Sequence, residues 1–86
     1  MTLSDMRRRI DDLDRDLLRI LNKRASIVKD IANAKKATGA PIHDAERVHF
    51  ILERAKQLNS GPLPNEKVEK FFTAMLQIFE EFETET

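Results

Sequence analysis

Between Asp5 and Ala37 the chain contains neither glycine nor proline. Along that stretch Met6, Ile10, Leu13, Leu17, Ile20, Ile27, Ile31 and Ala34 recur at three- and four-residue steps, as one face of a helix requires. Thr2 or Ser4 can cap its start, and Gly39-Ala40-Pro41 stops it. The helix so predicted has about 33 residues and is roughly 50 Å long at 1.5 Å per residue. A compact body of 86 residues has a radius of gyration of only about 12 Å. The helix therefore projects from its own globule, and its apolar stripe requires cover from a second chain.

Pro41-Ile42-His43-Asp44 reads as a short turn, with Asp44 as N-cap of a second helix whose apolar face is Val48, Ile51, Leu52, Ala55 and Leu58. Asn59-Ser60-Gly61-Pro62-Leu63-Pro64 breaks the chain. A third helix follows from about Asn65, with Val68, Phe71, Phe72, Met75, Leu76, Phe79 and Phe82 facing inward. Its acidic last turns, Glu80 to Thr86, are expected to fray, because negative charge at a helix C-terminus opposes the dipole. The expected fold is all-α: three helices per chain, one long and two shorter, forming one domain over residues 1–86 and an intertwined homodimer.

Fifteen basic and fifteen acidic side chains cancel, so no long-range field draws the chain to nucleic acid or to a membrane surface. Cysteine is absent, which excludes disulfides and thiolate zinc sites and fits a cytoplasmic protein. No secretory leader pattern and no apolar run of bilayer length occurs. His43 and His49 are six apart, without the i, i+4 spacing of a helical zinc pair, and read as surface residues. The residues offer no recognisable metal site.

The anomalies are cationic. Arg24 takes the heptad position otherwise held by Ile10, Leu17 and Ile31, and Lys35, eleven residues on, returns within about 20° to the same direction. These cations either snorkel to the edge of the seam, or set the register of a coiled coil, or hold an anion within it. Arg7, Arg8 and Arg9 lie in the first turns, where such runs are usually solvated. Arg7 is roughly 100° round the helix from Arg24, so it does not share that seam on its own chain but can reach a partner's in an antiparallel dimer.

The series Met6-Arg7, Ile10-Asp11, Asp14, Leu17-Leu18, Arg24, Ile31-Ala32, Ala34-Lys35, and then Gly39, Pro41-Ile42, Asp44 and Arg47, resembles the all-helical class of chorismate mutases over nearly the whole chain. The resemblance implies a cofactor-free rearrangement of chorismate to prephenate, a small dicarboxylate bound in a homodimer. It implies that Arg7 of one chain, with Arg24 and Lys35 of the other, holds the two carboxylates. Lys35 would also face the ether oxygen, Asp44 would lie by the ring's 4-substituent, and Arg47 would support the carboxylate site. Glu83 would approach the ether oxygen, where only its protonated form can donate a hydrogen bond. The Asn-x-Gly-Pro-Leu-Pro break looks like that of mutase domains fused to the first shikimate-pathway enzyme, so a shikimate-pathway enzyme is a further expected partner.

The chain departs from the family pattern at Val48, where a Glu usually binds the substrate hydroxyl, and at Phe79, where a small hydroxyl residue is usual. Both also read as plain core residues on apolar helix faces. These departures leave open an isochorismate-pyruvate lyase, which shares the scaffold, or a mutase of 4-amino-4-deoxychorismate. The alternative of another class is a non-catalytic helical dimerisation or regulatory module.

Overall fold

A computed structural model describes all 86 residues as three helices with no strand: α1 (Leu3–Thr38), α2 (Ala45–Leu58) and α3 (Asn65–Thr84). α1 starts at Leu3 because Thr2, not Ser4, is its cap. The Thr2 hydroxyl accepts from the Asp5 backbone N–H at 3.1 Å, and the Asp5 carboxylate accepts in return from the Thr2 backbone N–H at 3.0 Å, a reciprocal capping box. Gly39 ends the helix in the left-handed region, φ 74°, a conformation that costs a Cβ-bearing residue energy.

The cap makes the first turn pH-sensitive. Hydrogen bonds from the Thr2 backbone and hydroxyl, and from Arg8, hold the Asp5 carboxyl below its ordinary value. Because the folded value is the depressed one, the cap's contribution is present above the unfolded carboxyl range and is lost as pH falls through the folded value. The expected result is that amide protection at Asp5 and Met6 falls in acid before that of mid-helix, and that Thr2→Ala shows the same loss at neutral pH. Equal protection in both proteins at both pH values would dismiss the box as ornamental.

α1 and α2 do not pack on each other; both pack on α3. Only Ala32 and Val68 are buried apolar residues, and the molecule measures 54 × 24 × 16 Å with a radius of gyration of 15.9 Å, above the ~12 Å of a compact chain this long. α1 projects, as its length predicts. The whole stripe from Met6 through Ile10, Leu13, Leu17 and Ile20 to Ile27 and Ile31 is open to solvent in the single chain. Phe71 and Leu58, expected on inward faces, are 51% and 69% exposed, because each lies on a side of its helix that no other helix of the same chain covers. No helix is long and apolar enough to cross a membrane.

The end of α3 does not fray. It runs to Thr84, and the reason is tertiary: Lys35 and Lys36 of α1 meet it there. Lys36 Nζ donates to the Thr86 carbonyl and Lys35 contacts Glu83. Cations at a helix C-terminus offset the unfavourable acids that the sequence places there.

Candidate active site

The three helices and the turn between α1 and α2 enclose a cleft of about 270 Å³. Arg24 and Lys35 enter it from α1, Asp44, Arg47 and Val48 from the start of α2, and Phe79 and Glu83 from α3. Seven of the eight residues singled out from sequence thus share one space. The eighth, Arg7, does not line it: it lies exposed on the projecting arm of α1, seventeen residues or about 25 Å before Arg24 along the axis.

Each cation is held differently. The Arg24 guanidinium stacks over the Phe79 ring, its Cζ 4.4 Å from the centroid. Burial, and then repulsion from Arg47, draw the Arg24 pKa below its ordinary value, yet a guanidinium stays charged at neutral pH. Arg47 stacks on Phe50 at 5.1 Å. Neither arginine has a carboxylate within ion-pair distance, so the cleft is lined by two guanidiniums that repel each other and have no paired counter-charge. Such a pair is what an incoming anion relieves.

Lys35 is the most constrained group. Its Nζ donates to the Ile42 carbonyl at 2.8 Å and lies 2.9 Å from Oε1 of Glu83. That ion pair is inside the protein, with side chains 22% and 10% exposed. Oε1 of Glu83 is buried with no other partner, so the Lys35 ammonium at 2.9 Å is the one group that compensates it. A buried pair of this kind gains the fold little, since desolvating the two charges offsets their attraction. It does fix where the ammonium points.

Asp44 serves α2 first: its Oδ1 accepts from the Arg47 backbone N–H at 3.1 Å. This cap ties the Arg47 backbone to the turn. Val48, Ile27, Ile31, Ile51 and Leu76 supply an apolar wall. Arg24 and Lys35 are about 16 Å apart along α1, so two long side chains can grip a small molecule from opposite ends. The chemistry available is capture of a compact dianion with an apolar body, and donation to an oxygen that gains charge. No three His, Asp or Glu residues are grouped so as to hold a metal ion.

Sequence reasoning missed His43 and Glu80, which also line the cleft and lie 3.1 Å apart, Nδ1 to Oε1. A signal was present. Glu80 precedes Glu83 by three residues and so shares its face, and His43 adjoins Asp44.

Residues 6–84 match the family "Chorismate mutase type II". The chain is 38% identical over 79 residues to the bifunctional chorismate mutase/prephenate dehydratase of Pseudomonas aeruginosa, covering 86% of this chain and 22% of that protein. It is 38% identical over 56 residues to a chorismate mutase of Methanocaldococcus jannaschii, covering 65% of this chain and 57% of that protein. The chain thus spans about a fifth of the bifunctional relative's length. Among solved structures, chorismate mutase (Form II) from Thermus thermophilus superposes with a TM-score of 0.93 at 27% identity, over 95% of this chain and 93% of that one. Chorismate mutase from Helicobacter pylori in complex with prephenate gives 0.89 at 32% identity, over 96% and 90%.

Proposed function

The chain belongs to the chorismate mutase type II family, and from that premise we propose that it rearranges chorismate to prephenate. The observation that carries the proposal is the convergence of Arg24, Lys35 and Arg47 on one small cleft. A [3,3] shift breaks the ether C–O bond as a C–C bond forms, within one molecule and without a proton transfer. Nothing has to act as base or nucleophile. What limits the rate is holding a flexible dianion in its reactive chair and meeting the charge that develops on the ether oxygen. Arg24 binds one carboxylate, Arg47 supports the carboxylate site, and Lys35, already aimed by Ile42 and Glu83, donates to the ether oxygen.

The site is completed by a second copy of the chain. The open apolar stripe of α1 supports this, because residues such as Ile10 at 55% and Leu13 at 61% exposure gain only when covered. Arg7, on the same arm, is then the partner's contribution to the substrate carboxylates. The homologues' fusion to prephenate dehydratase supports a place beside another enzyme of aromatic amino acid synthesis.

Glu83 makes a signed prediction. Its carboxylate lies against Lys35, so it competes for the ammonium and opposes negative charge on the ether oxygen. Glu83→Gln removes that charge and presents an amide donor. The variant's kcat at neutral pH is expected to rise about tenfold, a fraction of what one well-placed donor contributes. An unchanged or lower kcat in stopped-time product assays would move Glu83 away from the reacting oxygen.

The assignment of substrate is tested by giving the purified protein chorismate, isochorismate and 4-amino-4-deoxychorismate separately and identifying the products. Prephenate from the first, with the others unreacted, is the expected result. Pyruvate release from isochorismate would mark a lyase, and turnover of the amino compound alone would mark the related mutase. No reaction with any of them would leave the dimerisation module.

A further inference from the structure

The distance between the cations of α1 and those of α2 is not set by direct packing, because these two helices touch only α3. The turn from Gly39 to Asp44 joins them. Two side-chain contacts tie that turn to what lies across the cleft: Lys35 Nζ donates to the Ile42 carbonyl, and His43 Nδ1 meets Glu80 Oε1 at 3.1 Å. Glu80 and Glu83 are one helical turn apart on α3, one carboxylate facing His43 and the other Lys35. The contacts form a closed ring: Lys35 to Ile42, along the backbone to His43, across to Glu80, along α3 to Glu83, and back to Lys35.

We propose that His43 and Glu80 are positioning residues for the rearrangement: their contact clasps the α1–α2 turn to α3 and so fixes the Ile42 carbonyl that aims Lys35, and the start of α2 that carries Asp44 and Arg47. The proposal rests on the function given above. His43 touches no reacting atom. It acts through the lysine that does. His43 and Glu80 are 61% and 40% exposed in their side chains, so their contact adds little to the stability of the fold. Its loss therefore registers in the geometry of the cleft and not in unfolding. A displacement of the Lys35 ammonium by a fraction of an ångström is enough to matter, since placement errors near 1 Å cost on the order of a hundredfold in rate.

The test compares His43→Ala, Glu80→Ala, the double variant and Glu80→Gln in the 86-residue chain with chorismate. Each alanine variant is expected to lower kcat and kcat/KM together by about tenfold, leaving KM and the thermal midpoint near wild type. The double variant should be no worse than either single one, because one clasp is broken once. Glu80→Gln, whose amide still bonds either imidazole tautomer, should keep most of the rate. Unchanged kcat in both single variants, additive losses in the double, or a Gln variant as poor as the Ala variant would overturn the proposal. Hydrogen exchange separates this from failure of the function itself. Ala40, Arg47 and Val48 have hydrogen-bonded amides at the two ends of the turn, and they should exchange faster in His43→Ala. Unchanged exchange overturns the clasp whatever the reaction. Faster exchange beside a wild type that leaves chorismate intact overturns the functional reading and the positioning role with it.

Discussion

Lys35→Ala and Arg24→Ala are each expected to lower kcat/KM for chorismate by at least about a hundredfold, with the helical fold retained. The magnitude follows from what is removed. Each residue supplies a preorganised charge, and deleting one such donor from a site where charge develops typically costs two to three orders of magnitude, or about 2.7–4 kcal/mol. The two variants should differ in kind. Arg24 is stacked on Phe79 beside Arg47, and in the proposed mechanism it grips a carboxylate that is present in ground state and transition state alike. Its loss is expected to fall chiefly on KM. In the same mechanism Lys35 meets an oxygen that acquires charge only as the bond breaks, so its loss is expected to fall chiefly on kcat.

Folding should survive Arg24→Ala freely and Lys35→Ala at a cost. Arg24 has no ion-pair partner to abandon, and removing it relieves its repulsion from Arg47. Lys35→Ala leaves Glu83 buried without its counter-charge, which is destabilising. That cost is avoided in Lys35→Ala/Glu83→Gln, where the buried charge is gone as well. The double variant should regain the stability that Lys35→Ala loses and remain far less active than Glu83→Gln alone. Wild-type turnover in either single variant would show that the cleft is not the site.

Much of this arrangement is legible in the residues. A stretch of more than thirty residues without glycine or proline, with one apolar stripe, leaves the chain little choice but a long projecting helix, and Leu3–Thr38 is what the structure contains. Arg24 and Lys35 stand out because they break an apolar pattern, and both face the cleft. A dipole argument misjudges the end of α3, because it sees only the helix that carries the charges. Lys35 and Lys36 come from α1, and nothing in the local sequence of α3 announces them. Periodicity places Phe71 inward because it identifies a face without saying whether a neighbour covers it. His43 and Glu80 are thirty-seven residues apart, and their contact exists only once α3 has folded back across the turn.

Arg7→Ala is expected to lower kcat/KM on the same scale as the cleft variants, about a hundredfold, although Arg7 lies far from the cleft of its own chain. The reason is geometric. Arg7 is about 25 Å from Arg24 along one rigid helix, so the two cannot meet on a small molecule unless they come from different copies. In the proposed dimer the open stripe of α1 is the surface that the second copy covers, and stability that depends on protein concentration is expected with it.

Refolding Arg7→Ala and Lys35→Ala together in equal amounts tests the two-chain site directly, because neither variant alone is active. In a symmetric dimer, hybrids bring one unaltered Arg7 and one unaltered Lys35 to the same site, while their second site carries both lesions. Half of the dimers are hybrids and half of their sites are whole, so the mixture should recover about a quarter of wild-type activity. A mixture no more active than the sum of its two inactive parents would contradict a site shared between chains.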